Sequence, residues 1–315
     1  MYKGKTLCVV VPAYNEERLL ARTVETMPDF VDHIVVVDDR STDGTRAEAL
    51  RLAAADPRVI LLEHPENEGV GGSIATGYKW ARDAGADMAA VMAGDGQMDP
   101  ADLPALCDPV AEDGVDYAKG NRLVYEEAYR VIPKVRFFGN AVLSFLTKIA
   151  SGYWHVADSQ TGYTVIGKRA LAAIDWDLMY KRYGQPNDIL VRLNVADMRV
   201  RDVPVRPVYN IGERSGFSPR QVLWPISRLL VRMFAWRLWR KYMIRDAHPL
   251  FLFIAMGAGL FALGFLFFLR LLYLLLSRGQ MPEITLIIFL FTVTLGLQAF
   301  LFGIWMDMDK NKELR

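Results

Sequence analysis

Cysteine is nearly absent from this 315-residue chain, which has only Cys8 and Cys107. The pair has no metal-site spacing, and both residues fall in apolar segments, where core packing accounts for them. Charge of either sign in excess is also missing. Lys and Arg total 37 against 36 Asp and Glu, and a formal net charge of +1 argues against a general nucleic-acid binder. No signal-peptide apolar region followed by a cleavage site opens the chain. "MYKGKTLCVVV" runs straight into a strand-like segment, so residue 1 is expected to begin a cytosolic domain. No internal repeat and no low-complexity linker divides the sequence.

What the chain does have is unevenly distributed. Mean hydropathy is +0.13, high for a soluble enzyme, and the apolar excess lies in the last quarter. Leu250–Leu269 and Ile284–Met306 carry no charge. At 1.5 Å per helical residue each is long enough to cross a hydrocarbon core of ~30 Å. The link between them is too short for a domain, so they read as a helical hairpin. Residues 1–100 hold 10 basic and 17 acidic side chains, whereas residues 201–250 hold 10 basic and 3 acidic. In that basic belt Arg228, Arg232, Arg237, Arg240, Lys241 and Arg245 mix with Trp224, Trp236, Trp239 and Tyr242. Such a composition suits a helix lying at a membrane interface. The basic belt before the first span and the cations of "KNKELR" after the second predict that both ends face the cytosol.

The first 120 residues alternate. "TLCVVVPAY", "HIVVVDD", "RVILLEH" and "DMAAVMAGD" are near-continuous apolar runs, and helical patterns separate them. This predicts an α/β fold with a mostly parallel, Rossmann-like sheet covered on both faces. Ligands of such sheets bind beyond the carboxyl ends of the strands. The unusual residues lie there: Tyr14 and Glu16, Asp38 and Asp39, Asp95 and Gln97. Asp39 opens "DDRSTDGT", where a carboxylate suits a base N–H or a ribose hydroxyl. Tyr14 suits the flank of a flat base. Asp95 and Gln97 sit on a Gly-containing turn whose oxygens suit Mg²⁺ or Mn²⁺ bridging a diphosphate. The Gly-rich "ENEGVGGSIATG", with Gly71, opens a helix beside them and reads as a diphosphate neighbour. It is neither a P-loop nor a full G-x-G-x-x-G, since Ile74 stands at the third glycine position.

Taken together, "VVPAYNEE", "VVVDDRSTDGT", "NEGVGGSIATG", "GDGQMDP" and "GNR" resemble the inverting GT-A glycosyltransferases of family 2. With the apolar hairpin, the chain most resembles the dolichol- or polyprenyl-phosphate mannosyl- and glucosyltransferases. The resemblance implies a GT-A domain over residues 1–215, interfacial helices over 216–247, and two transmembrane helices with a short cytosolic tail over 248–315. It implies that Pro12, Tyr14, Glu16, Asp39 and Gly71 hold the donor nucleotide. It makes Asp95 and Gln97 the second and third positions of an Asp-x-Asp-x-Gln metal and diphosphate turn. Ala93 replaces the first aspartate. Asp99 is an alternative oxygen or the cap of the next helix. Arg122, and Arg136 in "KVRFFGN", correspond to acceptor-phosphate arginines, a task for which the guanidinium fork is suited. Asp158 and Gln160 in "DSQTGY" correspond to the segment beside the sugar. Arg201, Arg206 and Arg214 are further cations near the membrane segment. His33, His64, His155 and His248 fall outside the matched positions and receive no role.

The implied reaction moves a hexose from a nucleotide-diphosphate sugar to a polyprenyl phosphate, with Asp95, Arg122 and Arg136 as the catalytic set. The phosphate nucleophile is already anionic, so a strong general base is dispensable. Two competing readings stand beside it. One is transfer to a sugar hydroxyl, against which "RQVLW" lacks the Gln-x-x-Arg-Trp pattern of polysaccharide synthases. The other is a non-catalytic membrane scaffold, supported only by Ala93. Sugar, base, lipid length and oligomeric state are not encoded in any of these motifs.

Overall fold

The computed structural model describes residues 1–124, 134–208, 219–279 and 281–315, except for the side chains of 134–137 and 219–223. Two compact units emerge: Met1–Phe234 with Leu314–Arg315, and Ala235–Glu313.

In the first unit seven strands form one sheet: β1 (Leu7–Ala13), β2 (His33–Asp38), β3 (Val59–Glu63), β4 (Met88–Val91), β5 (Tyr117–Asn121), β6 (Thr164–Gly167) and β7 (Val200–Pro204). Their order is β3-β2-β1-β4-β6-β5-β7. All neighbours are parallel except β6, which runs against both β4 and β5. The helices are α1 (Leu20–Glu25), α2 (Thr45–Ala55), α3 (Val70–Asp83), α4 (Leu103–Ala111), α5 (Lys134–Ser151), α6 (Lys168–Ala173), α7 (Gln185–Val195) and α8 (Pro219–Arg237).

Every residue of β1 is buried. Alternate side chains of a strand point to opposite faces. Cys8 and Val10 therefore join Tyr78, Ile189 and Leu190 in one core cluster, while Leu7, Val9 and Val11 join Leu103 and Leu106 in the other. A sheet covered on both faces needs apolar runs rather than alternation, and this is why the strands read as they do. Both cysteines are unpaired and buried. The first unit continues past the expected boundary at 215 to Phe234, because Ile226, Leu229, Leu230 and Met233 of α8 are buried.

In the second unit Leu238–Arg245 is wound as a π-helix, followed by α9 (Pro249–Arg278) and α10 (Glu283–Lys310). By length and composition both long helices suffice to cross a membrane. Between helices that span a bilayer apolar burial gives no advantage, and close backbone packing takes its place. Gly257 provides such a contact: a Cβ there would stand 3.0 Å from Gly296 O and 3.1 Å from Phe300 N. A polar knot adds to it. Arg237 Nη1 and Nη2 donate to Asp307 Oδ1 and Oδ2 at 2.7 and 3.0 Å, Tyr242 Oη donates to Asp307 Oδ1 at 2.6 Å, and Lys241 Nζ donates to Asn311 Oδ1 at 2.9 Å. Arg237 and Lys241, counted in the basic interfacial belt from the sequence, are buried. Trp224 and Trp239 are exposed.

Candidate active site

Parallel strands deliver their carboxyl ends to one edge of a sheet. The antiparallel β6 instead delivers its start, since Val91 at the end of β4 pairs with Thr164. The loop preceding β6 thus reaches the same edge as the turns after β1, β2, β4 and β5. Tyr163 Oη donates to the carbonyl of Asp99, tying that loop to the turn after β4.

After β1 the chain bends at Asn15, whose φ of 57° is left-handed. Asn and Asp tolerate this region better than most residues. Asn15 Oδ1 accepts from Thr42 N at 2.8 Å, Glu16 N donates to Thr45 Oγ1 at 2.7 Å, and Glu17 Oε2 accepts from Gly44 N at 2.9 Å. These bonds hold residues 15–17 to the loop after β2 and the first residue of α2, and α1 begins at Leu20. Pro12 lies in β1, and Tyr14 is left exposed at the edge. The Glu16 carboxyl is pushed up to about 7 by burial, with Asp95 and Asp43 adding like charge. Asp95 Oδ1 accepts from Gln97 N at 3.0 Å, which shapes the turn through Gly96. Asp99 accepts from Ala101 N and caps the next helical turn.

Asp39 is 2% exposed and faces inward. Its Oδ1 accepts from Glu68 N and meets His64 Nδ1, both at 2.8 Å, and its Oδ2 accepts from Gly69 N at 2.7 Å. His64 Nε2 meets Thr76 Oγ1 at 2.9 Å. Asp39 therefore organises the loop that opens α3. Sequence reasoning gave His64 no role; its position one residue past a strand end was the available signal.

Gly71 is likewise committed. Its N–H and that of Gly72 donate to Lys181 O at 3.0 and 3.2 Å. A Cβ at Gly71 would lie 2.1 Å from Tyr180 O. The expected diphosphate contact of Gly71 is corrected here, because its own amide is occupied and the glycine serves a close backbone approach.

After β5, Arg122 Nε and Nη2 donate to Asp158 Oδ2 and Oδ1 at 2.8 and 3.2 Å. Asp158 is fully buried. Burial alone would raise its carboxyl, but the charge and hydrogen bonds of Arg122 hold it below the ordinary range. Gln160 N donates to Asp158 Oδ1 at 3.1 Å, and Gln160 Nε2 donates to Asn187 Oδ1 at 2.8 Å. Beneath the loop, Lys119 donates to Thr161 O at 2.6 Å. Burial lowers its ammonium to about 8, against the attraction of Asp158 and Asp202. Lys119, Asn187 and Asp202 carried no motif signal, since a buried polar residue in a strand or helix reads like any other.

Arg201 does not join this group. It stands beside Ala118, near the start of β5, and pairs with Asp113 in the turn before that strand. Strand direction puts it away from the carboxyl edge, so its acceptor role is corrected. Arg206 follows the end of β7, with its N–H held by Asp102 Oδ2 at 2.8 Å and its side chain exposed. Arg136 lies in α5, but its side chain is outside the described residues, as is Arg214 entirely. The described residues contain no group of three or more His, Cys, Asp or Glu able to hold a metal ion.

Known proteins resemble this chain in sequence and in fold. The UDP-N-acetylglucosamine–dolichyl-phosphate N-acetylglucosaminyltransferase of Methanococcus voltae is 31% identical over 218 residues, covering 65% of this chain and 86% of that one. The undecaprenyl-phosphate mannosyltransferase of Micrococcus luteus is 32% identical, covering 62% and 81%. The fold is that of glucosyl-3-phosphoglycerate synthase from Mycobacterium tuberculosis, solved with Mn²⁺, UDP and glucosyl-3-phosphoglycerate. That match has a TM-score of 0.54 at 19% identity, over 74% of this chain and 80% of that one. Residues 8–174 match the sequence model of glycosyl transferase family 2, and the chain belongs to that family.

Proposed function

We propose that this protein transfers a hexose, with inversion, from a nucleotide-diphosphate sugar to a polyprenyl phosphate at the cytosolic face of a membrane. The observation that carries this reading is one sheet edge that gathers Tyr14, Glu16, Asp95 and the Arg122–Asp158–Gln160 group, in a chain that also bears two helices apolar enough to span a bilayer. The named relatives from Methanococcus voltae and Micrococcus luteus support a lipid-phosphate acceptor.

The exposed ring of Tyr14 flanks the nucleoside, and Pro12 supports it from β1. Asp39 acts on the nucleoside through the loop it organises. Asp95 and Gln97 would hold a Mg²⁺ or Mn²⁺ ion. Few protein oxygens suit such ions, which keep water and substrate phosphates as their other ligands. The like charge between Glu16 and Asp95 marks the place as favourable for a cation. When bound, that ion supplies neutralisation of the leaving diphosphate. Arg122, fixed along one edge by Asp158, orients the reacting groups, with Arg136 as the second acceptor cation. A polyprenyl-phosphate oxygen attacks the anomeric carbon as its bond to the nucleoside diphosphate breaks. The phosphate arrives ionised, so the chain needs no base. Arg206 and Arg214 serve as further acceptor cations, and residues 219–245 lie at the headgroup level. Both ends face the cytosol.

Purified full-length protein, given UDP-glucose, UDP-N-acetylglucosamine or GDP-mannose with undecaprenyl phosphate and Mg²⁺ or Mn²⁺, should form a chloroform-soluble glycolipid. Asp95→Ala should abolish it without changing thermal unfolding. Transfer only to a sugar hydroxyl acceptor, or no transfer from any donor, would refute the reading.

A further inference from the structure

Gln160 is anchored by groups outside every recognised motif. Its Nε2 donates to Ser159 Oγ at 2.6 Å and to Asn187 Oδ1 at 2.8 Å. The same Asn187 oxygen meets Thr147 Oγ1 at 2.7 Å and Ser159 Oγ at 3.5 Å. Ser159 N in turn donates to Ser144 Oγ at 3.1 Å. Asn187 thus stands where α7, α5 and the loop before β6 meet. Asn187, Thr147, Ser144 and Ser159 are buried, whereas Gln160 is partly exposed. Nδ2 of Asn187, also buried, has no hydrogen-bond partner. A buried amide left half satisfied is poor packing material, and an apolar residue of similar size would serve stability better. The oxygen end is the end in use, and its use is to hold other side chains.

We infer that Asn187 is a positioning residue that fixes the amide of Gln160 toward the donor hexose, sets sugar selectivity through it, and ties the sugar loop to α5. The inference rests on the reading that Gln160 lies beside the sugar. Both Nε2 protons of Gln160 are spent on Ser159 and Asn187, so the end presented to the sugar is Oε1, an acceptor for a hexose hydroxyl. Without Asn187 the amide rotates, and either end meets the sugar. Through Thr147, the same asparagine holds the loop against the helix that carries Arg136.

The test uses full-length wild type, Asn187→Ala, Gln160→Ala, the double variant and Thr147→Val, assayed with the three nucleotide sugars and undecaprenyl phosphate. Asn187→Ala should lower kcat/KM for the preferred donor by about tenfold, the scale of one hydrogen bond. It should narrow the ratio between preferred and second donor by a similar factor, and leave the UDP dissociation constant within about twofold. Adding Asn187→Ala to Gln160→Ala should cause no further loss of donor discrimination, because Asn187 sets selectivity through Gln160. Thr147→Val keeps the side-chain shape and should narrow the same ratio by a few fold, which preserves the test where Asn187→Ala fails to fold. Losses of donor discrimination that multiply in the double variant, or a donor ratio that Gln160→Ala moves and neither Asn187→Ala nor Thr147→Val does, would overturn the inference and leave the function standing. A Gln160→Ala variant identical to an active wild type would remove Gln160 from the sugar and the inference with it. A wild type inert with every donor would mean that the proposed function had failed.

Discussion

Replacing Asp39 by Asn changes one buried atom and should loosen a loop. The carboxylate now accepts from Glu68 N, Gly69 N and the His64 ring within 2.7–2.8 Å. Hydrogen bonds to a charged group contribute about 1.5–3 kcal/mol each. Asn offers a single acceptor oxygen. Turned toward Glu68 and His64, its NH₂ lies against the Gly69 N–H; turned the other way, it lies against the other two. The less costly orientation strands one buried N–H and weakens two bonds, a loss of about 3 kcal/mol. That corresponds to amide exchange on the order of a hundredfold faster at Glu68 and Gly69, if these amides exchange by local opening. Hydrogen-exchange mass spectrometry on peptides spanning 64–72 of the detergent-solubilised chain measures it, alongside UDP affinity. Weakened UDP binding with unchanged exchange would refute the reasoning, since the carboxylate would then serve the ligand and the loop would stand without it.

Gly71→Ala should destabilise by about 3–5 kcal/mol, from two lost N–H···O bonds to Lys181 and the overpacking against Tyr180 O, read as a lowered Tm. Asp202 has an unpartnered buried Oδ1, and burial lifts its carboxyl to about 6, despite help from Ala157 N–H and Lys119. The folded chain binds that proton more tightly than the unfolded one, so the contribution is full below about 4 and is lost as pH rises through about 6. The swing is about 3 kcal/mol. Asp202→Asn should flatten the stability profile over that window, as followed by thermal unfolding across pH. In the second unit, Asp307→Ala removes the carboxylate that pairs with buried Arg237 and should destabilise by about 3–5 kcal/mol, whereas the paired change Arg237→Met with Asp307→Leu should be far milder. A denaturant or thermal series on the three proteins checks the order.

The sequence by itself determined the β/α alternation, the burial of the strands on both faces and the two apolar helices. These are periodicity and length effects, legible wherever burial dictates composition. It also marked Tyr14, Asp39 and Asp95, because acids and aromatics at strand ends conflict with a bare connecting turn. Only the tertiary structure decided that β6 runs antiparallel, since "TVIG" is apolar in either direction. That reversal brings Asp158 and Gln160 to the edge where Asp95 stands. It also decided against Arg201, whose place on β7 is far in register from the strand's carboxyl end, and against Gly71, whose amide found a carbonyl 110 residues further along the chain. Hydrogen bonds between distant residues leave no period in a sequence. Asn187, His64 and the Arg237–Asp307 pair, whose whole role is such bonding, become visible only when the chain has folded.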